Sequence, residues 1–257
     1  MTDELDISVR GHVATVEICR PPFNFFDAEL IAALADRFEA FDDDPSCRAI
    51  VLAARGKAFC AGSDLSKRSD PSKGPENSGG AHLYDHAIRL FRTRKPIVAA
   101  VHGAAIGGGL GLSLVADFRV TCEEARFTAN FNRMGYYPGF GLTITLPRLV
   151  GVQQAAQLLY SGRRIAGTEA TRIGLADMLV PQQDVLSTAQ SLALEIAQSG
   201  PLAVQATRDT LRYGLADKVA EAIKQEILEQ DRLRSTSDFR EGVKAMAERR
   251  MPEFHCQ

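Results

Sequence analysis

The sequence predicts an α/β fold whose closing part is entirely helical. Three observations carry this prediction. First, "RAIVLAAR" (48–55) and "PIVAAVHG" (96–103) are short, continuously apolar runs, the pattern of strands buried on both faces. Second, "YDHAIRLFRTR" (84–94) lies between them and repeats its apolar residues at helical spacing, so consecutive strands need crossover connections. Third, from about residue 184 three segments each carry an apolar stripe of roughly 3.6 period: "DVLSTAQSLALEIAQ", "PLAVQATRDTLRYG" and "DKVAEAIKQEILEQDRLR". Such a helical tail either covers the body or embraces another subunit, and the sequence leaves both open.

The elements follow in order. "LDISVR" (5–10) and "HVATVEIC" (12–19) alternate apolar and polar positions on either side of Gly11, a hairpin signal. "RPPFN" (20–24) breaks the pattern. "AELIAALADRFEAFDDD" (28–44) is then a helix with Asp27 as its N-cap. "DFRVTC" (117–122) reads as a further strand. Residues 66–80, "SKRSDPSKGPENSGG", are rich in Ser, Gly, Pro and charge and read as a mobile surface loop rather than a domain linker.

The chain of 257 residues, with net charge −2 and 45% hydrophobic content, suits one soluble domain, or a domain with a small appendage. Charges of mixed sign and no basic stripe argue against a nucleic-acid partner. No apolar run approaches the roughly 18 residues of a membrane span. The acidic, polar start "MTDELDISVR" is unlike a signal or transit peptide, so the expected location is cytoplasmic. The five cysteines are scattered without a C-x-x-C pair, which supports neither a disulfide framework nor a zinc site. Cys19, Cys60 and Cys122 lie in apolar segments as packing residues.

The chemistry centres on "AAIGGGLGLSLVAD" (104–117). A G-x-G-x-x-G fingerprint beginning at Gly107 or Gly109 would need glycine at Leu112 or Leu114, and both fail. Neither a P-loop nor a G-x-S-x-G nucleophile elbow is present. A tight strand-to-helix turn, with glycine allowing close packing, is one reading. The other takes in a second small-residue turn, Ala61-Gly62-Ser63, within "GKAFCAGSDLSK" (56–67). Two strand ends with free backbone N–H groups can converge on one oxygen, which is the requirement of an oxyanion hole.

These residues carry a resemblance. "GKAFCAGSDL", "KPIVAAVHGAAIGGGLGLSLVADFRV", "GYYPGFGLTITLPRLVG", "LLYSGRRIAGTEATRIGLADMLVP" and "STSDFREGVKAMAERRMPEF", in that order, resemble the crotonase (enoyl-CoA hydratase/isomerase) superfamily over nearly the whole chain. The resemblance implies a spiral of ββα repeats over residues 1–195 and a C-terminal helical oligomerisation region over 196–257. It implies a homotrimer or a dimer of trimers, and a coenzyme A thioester as substrate with no further cofactor. The oxyanion donors fall on the backbone N–H groups of Ser63 and Gly108. Ala61 borders the adenine, Arg20, Lys57 and Arg250 stand where the family meets CoA phosphates, and Asp64 is a candidate substrate contact whose commoner role in the family is that of a helix-start carboxylate.

The departures are as specific as the match. The hydratase glutamates align with Gly111 and Phe131, and the isomerase acid with Gly139. General acid–base help is worth about 10²–10⁴-fold per group, so ordinary two-glutamate hydration is not expected. The dehalogenase pattern fails too, because it needs an aspartate at Gly139 and a histidine at Tyr84. Tyr136 and Tyr137 in the active-site turn are candidate replacements. Asn130, Asn132, Arg133, His82, Tyr84 and His86 are near in sequence, and Phe131 with Phe140 makes an apolar wall. Two functions remain: an acyl-CoA enzyme stabilising a thioester enolate through a backbone oxyanion hole, or an acyl-CoA-binding protein without turnover.

Overall fold

The computed structural model describes residues 4–64 and 83–257; the loop expected over 66–80 lies outside them, as does His82. Strand β1 (Leu5–Arg10) pairs antiparallel with β2 (Val13–Ile18) around Gly11 and His12, both with positive φ. Helix α1 (Ala28–Asp43) buries Leu30, Ile31, Leu34 and Phe38, and the Asp27 side chain accepts from Leu30 N at 2.9 Å as the expected N-cap. Strands β3 (Ala49–Ala54) and β5 (Ile97–Val101) are buried at every position, as their unbroken apolar runs require.

After β3 the chain runs through the short strand β4 (Ala58–Cys60) and on to α2 (Leu83–Phe91). After β5 it repeats the path through β6 (Ala104–Ile106) and α3 (Gly108–Ser113). A third pass runs from β7 (Phe118–Thr121) through β8 (Arg126–Thr128) to α4 (Leu142–Ser161). Strands β9 (Arg164–Ala166) and β10 (Met178–Leu179) flank α5 (Gly167–Arg172). The longer strands, with the two-residue β10 at one edge, form a six-stranded sheet, β1-β2-β3-β5-β7-β10, and the three-residue strands a four-stranded sheet, β4-β6-β8-β9. Each turn of this strand–strand–helix spiral therefore brings one short strand end next to the previous one. That stacking positions the site.

Four helices close the chain: α6 (Val185–Ala197), α7 (Pro201–Leu211), α8 (Leu215–Arg234) and α9 (Ser237–Ala247). Residue 195, the expected division, falls inside α6, which packs on β3 and β5. Asp117 ties α7 to the body. Its carboxylate meets Arg208 Nε at 2.8 Å and Arg212 Nη1 at 2.9 Å, and it also accepts from Ile97 N. At least part of the tail thus covers its own body. Among the described residues, no helix is long and apolar enough to cross a membrane.

Candidate active site

Parallel pairing of β4 with β6, Ala58 beside Ala104 and Cys60 beside Ala105, sets two strand ends side by side. Beyond them the chain turns at Gly62 (φ 85°) and Gly107 (φ 55°), conformations that side chains rarely adopt. The turns touch closely enough that a Cβ on Gly62 would lie 2.8 Å from the Ile106 carbonyl oxygen and 3.6 Å from Gly108 N. A Cβ on Gly109 would overlap the Cys60 carbonyl, and one on Gly108 would overlap the Phe26 ring. Close packing, one of the roles weighed for the glycines, is therefore present, and it brings the two turns onto one cavity. Among the described residues, neither Ser63 N nor Gly108 N donates to a backbone carbonyl.

Both residues line a cavity of about 420 Å³. Of the other expected site residues, Ala61, Asp64, Phe131, Phe140 and Tyr136 share its wall, as do Tyr84 and Asn130. Tyr137 does not. Its carbonyl accepts from Gln230 Nε2 at 3.1 Å, and partial burial raises its phenol. Arg20, Lys57 and Arg250 also lie off the wall. Arg20 is held by Glu4 at 2.7 Å and Asp27 at 2.6 Å. Arg250 is held by Glu248 at 2.6 Å and by Glu241, whose carboxyl it brings down to about 2. Lys57 is exposed. Arg133 Nε donates to Ser161 O, Asn132 opens a short 3-10 turn, and His86 Nδ1 sits 3.2 Å from Arg89 Nη1.

Gly111 and Gly139, two of the positions to which the sequence reading assigned an acid, have no room for a side chain. A Cβ on Gly111 would lie 2.6 Å from Phe140 Cβ. Phe140 is fully buried with φ 61°, between Gly139 and Gly141, and its ring sits 5.5 Å from Phe26 and 6.5 Å from Phe91. A Cβ on Gly139 would overlap the Tyr84 hydroxyl and lie 2.6 Å from Gln230 Nε2. Burial pushes the Tyr84 phenol well above its ordinary value, against the smaller opposing effect of its Gln230 hydrogen bond. Phe131 completes the apolar face.

Helix α8 supplies polar groups that the sequence reading missed. Gln230 Oε1 accepts from Tyr84 Oη at 3.2 Å and Tyr136 Oη at 3.3 Å, and its Nε2 donates to Pro138 O at 3.3 Å. Arg234 Nη2 donates to Tyr136 Oη at 2.6 Å and its guanidinium lies 5.7 Å from that ring's centre. One turn earlier on the helix, Glu226 accepts from Gly141 N at 2.9 Å and Thr143 Oγ1 at 2.8 Å, capping α4. A signal existed. Glu226, Gln230 and Arg234 continue the buried stripe of Leu215, Val219 and Ile223, so polar residues occupy core-facing positions. Helix α9 closes the cavity with Val243, Met246 and Ala247.

The arrangement offers two backbone donors at one end of an apolar cavity and a phenol–amide–guanidinium network on its wall. The family described as enoyl-CoA hydratase/isomerase matches residues 8–257. A carnitinyl-CoA dehydratase of Proteus mirabilis is 34% identical, with 99% of each chain covered. The crystal structure of an enoyl-CoA hydratase/isomerase from Pseudoalteromonas atlantica superimposes with a TM-score of 0.89 at 31% identity, covering 98% of this chain and all of the other. An enoyl-CoA hydratase from Bacillus anthracis gives a TM-score of 0.76 at 28% identity, over 99% of this chain and 100% of that one. With a match spanning nearly every residue and a shared spiral fold, the chain belongs to the enoyl-CoA hydratase/isomerase family.

Proposed function

We propose that the chain is an acyl-CoA enzyme that holds a thioester carbonyl oxygen between the N–H groups of Ser63 and Gly108. The single observation behind this reading is the convergence of the two glycine turns on one cavity. Two preorganised donors favour the charge that develops on that oxygen when the α-carbon loses a proton, and each is worth roughly 3–4 kcal/mol. The enolate is thus stabilised without a side chain. Ala61 and its neighbours border the adenine through the main chain. Tyr136, fixed by Arg234 and Gln230, is the phenol that borders the acyl group. Hydration through two glutamates has no support here, since Gly111 and Phe131 stand at those positions.

A second reading is favoured by the closure of the acid positions: the chain binds acyl-CoA without turning it over. One experiment separates the two. A panel of enoyl-, β-ketoacyl- and aryl-CoA thioesters is followed for consumption by mass spectrometry and for binding by calorimetry. Turnover of any member establishes the enzyme, and tight binding without turnover across the panel establishes the binder. No binding at all would sink both. Gly108→Pro removes one donor, so unchanged affinity and turnover in that variant would count against the oxyanion role.

The exposed apolar residues of the helical region, Leu202, Leu211, Tyr213 and Leu228, support self-association as a trimer or a dimer of trimers. Light scattering on the purified chain tests this, and a monomer at micromolar concentration would contradict it.

A further inference from the structure

We propose that the Arg234 end of the cavity is a subsite for a carboxylate carried on the acyl group, so that the substrate class is the CoA thioester of a dicarboxylic acid. The inference rests on the thioester reading above and adds to it the charge of the acyl group.

Arg234 is the one cation among the described residues of the wall, where its neighbours include Phe131, Met134, Val243 and Met246. It is 8% exposed. A guanidinium in such a place is costly unless its donors are used. Nη1 reaches Asp231, a largely exposed carboxylate, at 2.6 Å, and Nη2 reaches the Tyr136 hydroxyl. Nε is buried and has no acceptor among the described residues. Nε is closed off from the cavity, so the donors left for a ligand are the second N–H groups of Nη1 and Nη2. Its orientation is fixed on one side by the Tyr136 ring, which is itself stacked on Phe239 at 4.7 Å. A planar guanidinium with an unused donor, held rigidly, suits a carboxylate, which accepts charge-assisted hydrogen bonds from adjacent N–H groups.

The distribution of charge points the same way. Asp64, the only carboxylate among the described lining residues, directly follows Ser63 and belongs to the oxyanion segment. No carboxylate among the described lining residues stands at the Arg234 end, where Asp231 pairs with Nη1 from outside the lining. A quaternary ammonium, the group that distinguishes a carnitinyl thioester, would meet like charge there and find no aromatic cage free of the guanidinium. Its exclusion separates this cavity from one built for a betaine.

Calorimetry on the full chain with three thioesters of similar length tests the proposal: glutaryl-CoA, pentanoyl-CoA and 4-(trimethylammonio)butanoyl-CoA. Glutaryl-CoA is expected to bind at least about tenfold more tightly than pentanoyl-CoA, with the ammonium compound weakest. Arg234→Met should bring the first two within about twofold of each other, and Arg234→Lys should keep part of the preference. A wild-type ratio near one overturns the subsite and leaves thioester binding standing. Equal weakening of all three ligands by Arg234→Met also overturns it, marking the residue as a strut. If none of the three binds, the thioester reading falls and the subsite falls with it.

Discussion

The two sides of the cavity have been built on different terms. The side of Ser63 and Gly108 is made from backbone, and its glycines are fixed by contacts that any Cβ at 62, 108 or 109 would violate. The remaining wall depends on side chains. At Gly111 and Gly139, two of the positions to which the sequence reading assigned the family's acids, Phe140, Tyr84 and Gln230 fill the space that a side chain would take, while Phe131, the third, lines the wall itself. Backbone chemistry is locked by packing, whereas side-chain chemistry can be exchanged wherever a neighbour fills the volume. The side of Ser63 and Gly108 is accordingly the part of the cavity whose geometry packing holds in place.

The largest effect should come from breaking the locked side. Gly109→Ala drives a methyl group into the Cys60 carbonyl, a backbone atom held by β4–β6 pairing. A loss of about 3 kcal/mol in urea unfolding is expected, together with loss of thioester binding, because the two turns must separate. A variant of wild-type stability and affinity would show that the turns are not locked.

The refilled side should tolerate change only in pairs. Gly111→Glu alone meets Phe140 and buries a carboxylate in an apolar wall, at a cost of about 2–4 kcal/mol. Phe140→Gly alone forfeits a buried ring, partly offset by relief of the positive φ at residue 140. The double variant should be more stable than the sum of the two losses by at least about 1 kcal/mol. Strict additivity would mean that Phe140 does not occupy the acid's place.

Much of this was legible in the sequence, for identifiable reasons. Long strands such as β3, and helices with a strong stripe and a side-chain cap such as α1, declare themselves by local pattern. The oxyanion turns are legible because only glycine tolerates their geometry. What the sequence concealed was lateral. Tyr84, Tyr136, Gln230 and Arg234 come from three distant stretches, and no local pattern says that 84 and 230 meet above Gly139. Tyr136 and Tyr137 look equivalent as neighbours, yet only Tyr136 lines the cavity. Cations at 20 and 250 look available in a list of residues, while in space each is held by two carboxylates.

That difference between the tyrosines is itself testable on the refilled side. Tyr136→Phe removes the hydroxyl shared by Arg234 and Gln230 and should weaken thioester binding by about fivefold, on the order of 1 kcal/mol. Tyr137→Phe should change binding by less than about twofold. Equal effects of the two substitutions would remove the distinction between them.

The smallest effect concerns the buried carboxylate behind the refilled side. Glu226 caps α4 through Gly141 and Thr143, and burial raises its carboxyl above the ordinary glutamate value. A group with a raised folded-state pKa holds its proton in the native chain at pH values where the unfolded chain has lost it. Its contribution to stability is therefore greatest in acid and declines as pH rises through the window above the ordinary value of 4.5. Glu226→Gln should remove this slope, so that wild type loses ground to the variant between about pH 5 and neutrality, by no more than about 1 kcal/mol. Turnover should follow only this change in stability. If Glu226→Gln instead abolished turnover in a chain that still binds thioester and remains folded, the side of the cavity without acids would have one after all, reaching it through the α4 cap.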